Sequence, residues 1–260
     1  MIPDMATFAI RINDLQHEIN KLDDSRSPKP IPMTFSPKED GSVIMRIDGL
    51  AVGVPRGQVL TRDFSFDLHA GQHVFITGRN GSGKTSLVRT LMGLWKPIAG
   101  SIRLSEGTTM SCLPQDPVIY SGSLAINLGS GSFCSSASGR ELYDVLRAVG
   151  LESLPTKVGG LHAPCSRAEW MVTLSPGERQ RLALARLLLQ RPTIAILDEA
   201  SVSLDAEVEL KVHEELWRKG ITTITVGHRT DGLLVDRISA VINLENCNTR
   251  PSIVFKPSTP

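Results

Sequence analysis

Long apolar runs, paired cysteines and charge of one sign are all missing from this 260-residue sequence. No stretch approaches the roughly 18 consecutive apolar residues that cross a bilayer. No basic flank precedes an apolar run at the N-terminus, so neither a membrane span nor a secretory leader is expected in these residues. There are four cysteines, Cys112, Cys134, Cys165 and Cys247, with no C-x-x-C pair among them. Their wide spacing suits neither a zinc site nor a disulfide framework, and they read as reduced cytosolic thiols. Basic and acidic residues number 28 and 27, for a net charge of +1. No block of like charge stands out, so nothing points to nucleic acid or an acidic polymer as partner. Internal repeats are also lacking. What is present is 41% hydrophobic residues, spread over enough chain for one large α/β domain or two small ones.

Residues 8–22 predict an amphipathic helix, because Phe8, Ile12, Leu15, Ile19 and Leu22 share one face. Such a face either binds a partner or packs on its own domain. Prolines 28, 30, 32 and 37 mark 26–42 as a linker, and the main domain is expected from Val43 to about residue 248. Strands are expected at Val43–Ile47, around Phe64, Phe66 and Leu68, at Val74–Thr77, 110–114, Thr193–Leu197 and Ile221–Val226. Helices are expected at 84–93, Glu178–Gln190 and Glu207–Arg218. Residues 116–172 read as a helical insertion of two or three segments. Strands alternating with helices argue for a largely parallel sheet. The tail, 249–260, reads as loose.

Gly78-Arg79-Asn80-Gly81-Ser82-Gly83-Lys84-Thr85 follows an apolar strand and opens a helix, the context that a P-loop requires. The glycines let backbone N–H groups turn inward around phosphate, and the helix N-terminus adds partial positive charge. Lys84 is expected on the β- and γ-phosphates and Thr85 on Mg²⁺, with Gly78 through Ser86 forming the nucleotide cradle.

A second apolar strand ends in Asp198-Glu199. In such a sheet, strand ends face the ligand crevice. Asp198 is then placed to hold Mg²⁺ and Glu199 to act as general base toward water. Leu174-Ser-Pro-Gly-Glu178 is a helix start, with Ser175 as N-cap, Pro176 at the first helical position and Glu178 completing a capping box. The same exposed N–H groups and hydroxyl could bind phosphate. The residues alone leave both readings open.

A P-loop, an L-S-P-G-E box, an apolar strand ending in D-E, then Ser203-Leu-Asp205 and finally His228 in V-G-H-R occur in this order. Together they resemble the nucleotide-binding domain of ATP-binding cassette (ABC) proteins over residues 43–245. The resemblance implies a P-loop NTPase fold, with a RecA-like, mostly parallel sheet core, an antiparallel β edge and a helical subdomain at about 116–175. It implies ATP and Mg²⁺ as ligands and ATP hydrolysis as the activity. It also implies that Ser175 and Gly177 of one cassette close on the γ-phosphate held by the other. Gln115 matches the family's Mg²⁺-sensing glutamine, Asp205 lies in the loop that crosses the dimer interface, and His228 matches the histidine that contacts the γ-phosphate. Catalysis would then rest on Glu199, His228 and Lys84, and the metal on Thr85, Gln115 and Asp198.

Two features depart from the family pattern. Pro176 stands where glycine is usual, and Ala51–Gly57 holds no aromatic residue to stack on adenine, leaving Val54, Pro55 or their neighbours. Gly93-Leu-Trp95-Lys-Pro97, Gln115-Asp-Pro117, Tyr120-Ser-Gly-Ser-Leu124, Trp170 and Ile221 through Arg229 resemble subfamily D half-transporters. That group includes peroxisomal fatty acyl-CoA transporters and a lysosomal member linked to vitamin B12, and the L-S-P-G-E box and V-G-H-R run look most like the lysosomal member. The expected partners are a second cassette, identical or not, and transporter membrane domains, with helix 8–22 resembling the end of one. The expected place is the cytosolic face of an organelle membrane (peroxisome, lysosome or ER), or of a bacterial inner membrane. The rival readings are a soluble, non-transport cassette ATPase and an ATP-binding regulator with little turnover.

Overall fold

In the chain's second long strand, β3 (Val59–His69), Phe64, Phe66 and Leu68 are buried while Asp63 and Asp67 face out, as the period of two demands. The computed structural model describes residues 34–36, 43–54, 58–129, 137–199, 206–227, 237–244 and 249–255. The helix expected at 8–22, together with Ser203, Asp205 and His228, lies outside the described residues. Cys112 and Cys165 are free thiols.

The described strands form two sheets. The first has four strands: β1 (Thr34–Ser36), β2 (Val43–Gly53), β3 and β5 (Ala99–Ser105). Their order is β1-β5-β2-β3, antiparallel except for the β1–β5 pair. The second sheet holds β4 (His73–Gly78), β6 (Met110–Leu113), β7 (Ile194–Asp198), β8 (Thr222–Val226), β9 (Ala240–Leu244) and β10 (Ser252–Phe255). Its order is β10-β9-β4-β8-β7-β6, and every pairing is parallel except β10–β9. All of β8 and all but the last residue of β7 are buried, the continuous apolar pattern of strands covered on both faces.

One core joins the two sheets to α1 (Lys84–Leu91), and Leu87, Val88 and Leu91 share it with Phe64, Leu68 and Ile76. A second core gathers the helices α2 (Leu124–Leu128), α3 (Gly139–Ala148), α4 (Leu154–Lys157), α5 (Arg167–Thr173), α6 (Pro176–Gln190) and α7 (Ala206–Arg218). Trp170 at its centre is fully buried, and its Nε1 donates to the Gly122 carbonyl at 2.9 Å. That bond ties α5 to the turn before α2. The helical insertion is therefore present, with four described helices between 116 and 173 rather than two or three. The additional ones are the single-turn α4 and the five-residue α2, too short to show a periodicity.

Two other expectations change. The tail read as loose contains β10, which covers the open edge of β9. Phe255 of β10 stacks on Phe66 at 6.2 Å, an apolar anchor that a reading based on proline missed. The stretch read as linker contains β1, which extends the first sheet beyond β5. Strands β5 and β9 were also not anticipated.

Candidate functional site

Parallel strands put their C-terminal ends on one edge, and here that edge collects the candidate chemistry. Gly78 ends β4, Leu113 ends β6 two residues before Gln115, Asp198 ends β7, and Val226 ends β8 two residues before position 228. The register aligns them, with Asp198 opposite Val226 and Gly78 opposite Leu244.

The loop from Gly78 to Thr85 winds tightly into α1. A Cβ on Gly78 would approach the Leu244 carbonyl oxygen to 2.5 Å and the Ser82 hydroxyl to 2.7 Å. Gly83, at φ 100°, precedes the first helical residue, Lys84. Lys84 Nζ donates to the Gly78 carbonyl at 2.9 Å and the Arg79 carbonyl at 3.2 Å, so its ammonium spans the loop. The hydroxyl of Ser82 is buried without a partner inside the same loop. Arg79, Asn80, Gly81 and Thr85 are exposed, and Ser86 is buried. A buried hydroxyl lacking a partner, a cradle closed to side chains and a lysine across its mouth fit a polyphosphate.

The acidic pair is electrostatically coupled to this lysine. Burial pushes the Lys84 ammonium below its ordinary range, against the opposing pull of Glu199 and Asp198. Burial, and then the Glu199 charge, push the Asp198 carboxyl up, against Arg89 and Lys84. Asp198 is thus a carboxylate short of positive charge, the condition in which a divalent cation is favoured. Glu199 adopts φ 51°, a left-handed conformation that costs a non-glycine residue about 1 kcal/mol or more. Its N–H is held by the Val226 carbonyl at 3.0 Å, so the end of β8 fixes the turn that presents the carboxylate.

Ser175 N-caps α6. Its hydroxyl accepts from the Glu178 N–H at 3.2 Å, and Glu178 Oε2 accepts from the Ser175 N–H at 2.8 Å, a complete capping box. Pro176 occupies the first helical position, where a missing N–H removes no helical bond, so this departure leaves the helix start intact. Gln115 is exposed, and Val54 of the adenine-side stretch is exposed too. Asp205 and His228 lie outside the described residues.

Three further residues bear on these groups and were not anticipated. Gln180 is buried in the apolar stripe of α6 with Leu184 and Leu187, and its Nε2 donates to the Gln115 carbonyl at 3.2 Å. A polar residue inside that stripe was the available signal. Arg89 opposes the rise of the Asp198 carboxyl and lies over the Trp95 ring at 4.9 Å. Lys157 meets the start of α6 from the end of α4.

The profile of the ABC transporter family matches residues 61–202. The chain belongs to that family and is its ATP-binding cassette, with the P-loop NTPase fold and the ATPase class this entails. The mouse lysosomal cobalamin transporter ABCD4 is 33% identical over 257 residues, 88% of this chain and 41% of that protein. Human ATP-binding cassette sub-family D member 3 is 35% identical over 191 residues, 72% of this chain and 28% of that protein. The resemblance to subfamily D is borne out by both. The structure of a bacterial Atm1-family ABC exporter with ATP bound shares the fold, with a TM-score of 0.75 and 22% identity over 93% of this chain and 43% of that one. The chain therefore spans under half the length of each of these relatives.

Proposed function

We propose that this cassette hydrolyses ATP to power a subfamily D-like half-transporter, on the cytosolic face of a membrane, paired with a second cassette. One observation carries the reading: the P-loop lysine and the two strand-end carboxylates form one electrostatic unit at the sheet edge. The likeness to ABCD4 over 88% of the chain supports the transporter assignment.

In this reading the α1 N-terminus, the loop N–H groups and Lys84 bind the β- and γ-phosphates of ATP and offset their charge. Thr85, Asp198 and Gln115 would hold Mg²⁺, which supplies further neutralisation of developing charge. Glu199 accepts the proton of the attacking water, with its carboxylate aimed by the turn at φ 51°. His228 assists beside the γ-phosphate. Ser175 and Gly177 close on the nucleotide of the partner cassette, and Asp205 lies at that interface. Because β1 and β10 are strands of its two sheets, the cassette runs from Thr34 to Phe255 in this reading, with 1–25 as the end of a membrane domain and 26–33 as the connection.

The Glu199→Gln substitution keeps size and hydrogen bonding but removes the base. Phosphate release is expected to fall about 10²–10⁴-fold, while ATP still binds and a nucleotide-bound dimer accumulates. Near-normal turnover by this variant would rule out Glu199 as the base.

A further inference from the structure

Lys157 ends α4, and its ammonium reaches two groups that frame the start of α6. Nζ donates to the carbonyl of Thr173, the last residue of α5, at 2.8 Å. It also lies 3.5 Å from Glu178 Oε1. The other Glu178 oxygen closes the capping box on the Ser175 N–H. We propose that Lys157 is a positioning residue for the Ser175 box, its charge offsetting that of Glu178 so that a carboxylate-bearing helix start can accept a phosphate of ATP. The inference rests on the reading above that this box meets the partner cassette's nucleotide.

The chemistry poses the problem first. The box ends in Glu178, which sets a carboxylate beside the Ser175 hydroxyl. A carboxylate in the first helical turn suits the macrodipole, but it repels an incoming phosphate. Glu178 is only 23% exposed, so water screens its charge incompletely. Burial pushes the Glu178 carboxyl up, but the Ser175 hydrogen bonds and the Lys157 charge outweigh it and hold the carboxyl below the usual range. Glu178 is therefore charged at neutral pH, and its repulsion is a standing feature of the box.

The geometry supplies the answer. Lys157 is the positively charged side chain paired with Glu178 among the described residues. Its second bond, to the end of α5, fixes the ammonium beside the box instead of leaving it to sample solvent. Cation and carboxylate thus present a nearly neutral pair beside the Ser175 hydroxyl and the first N–H groups of α6.

The test compares the parental full chain with Lys157→Met, Lys157→Arg and the double variant Lys157→Met/Glu178→Gln. Phosphate release and ATP-dependent dimerisation are followed across an ATP titration. Lys157→Met is expected to raise the half-saturating ATP concentration about 3- to 10-fold, with a smaller effect on the maximal rate. Lys157→Arg should stay near the parent, and adding Glu178→Gln to Lys157→Met should recover most of the loss, because glutamine keeps the capping oxygen without the charge. A purely structural tie to the Thr173 carbonyl predicts no recovery in the double variant. That result, or an unshifted Lys157→Met beside an active parent, overturns the inference. An inactive parent overturns the phosphate-binding reading of the box as well.

Discussion

Acid should weaken this fold through a buried histidine, and the size of the effect follows from its surroundings. His213 on α7 is 4% exposed, and its Nδ1 has no partner. Its ring lies 5.6 Å from Trp217, which lies 4.7 Å from the His73 ring on β4. His73 Nδ1 and Trp217 Nε1 both meet the Thr223 hydroxyl on β8. Burial, and then the charge of His73, lower the His213 pKa to about 4. The unfolded chain takes up that proton near the ordinary value of 6.5, whereas the folded chain does so only near 4. Its stability contribution is therefore present above pH 6.5 and is lost as pH falls toward 4. Linkage between pH 7.5 and pH 5 gives a loss of about 2 kcal/mol from His213 alone. His73, also lowered to about 4 by burial and by Arg237, acts in the same direction but is less buried and adds less. Urea unfolding followed by tryptophan fluorescence at the two pH values measures the loss. A His213→Phe variant removes one titration and fills similar space, so its acid loss should be smaller by about 2 kcal/mol. Equal acid losses in parent and variant would show that His213 is not held neutral.

Other perturbations separate stability from chemistry. Trp170→Ala removes the largest side chain of the helical core along with its bond to Gly122, and should cost about 3–5 kcal/mol in equilibrium unfolding. A loss under about 1 kcal/mol would mean that α5 is not anchored there. Gln180→Leu deletes the bond to the Gln115 carbonyl together with a buried amide oxygen that has no partner, so stability should change by under about 1 kcal/mol. Phosphate release should still fall several-fold, with a raised Mg²⁺ requirement, and unchanged Mg²⁺ dependence would refute the link between α6 and Gln115.

The parts of the site that read plainly from the sequence are local ones. Gly78 through Thr85 carry their conformation in adjacent residues, and Ser175 and Glu178 form a box within one helical turn. Asp198 was legible because an apolar run, Ile194–Leu197, ends on it. What escaped depends on partners distant in sequence. β10 forms because β9 offers an edge, and β1 because β5 does; neither has enough residues to announce a period of its own. The influence of Arg89 on Asp198 and the reach of Lys157 to Glu178 arise from tertiary placement, and no spacing along the chain encodes either. The turn at Glu199 belongs to the same class, since Val226 of β8 holds it.

The strand order also sets a schedule for synthesis. β4, which carries the phosphate loop, pairs only with β8 and β9 among the described strands. His73 and Thr223, opposite one another across that pairing, are 150 residues apart. At translation rates of about 5–20 residues per second, the loop's strand waits about 8–30 s for its first sheet neighbour. The nascent chain can close the first sheet during that interval, because β2, β3 and β5 all lie before residue 106. Nucleotide can therefore help to hold the fold together only late in synthesis, once the lysine and both carboxylates have been brought to one edge.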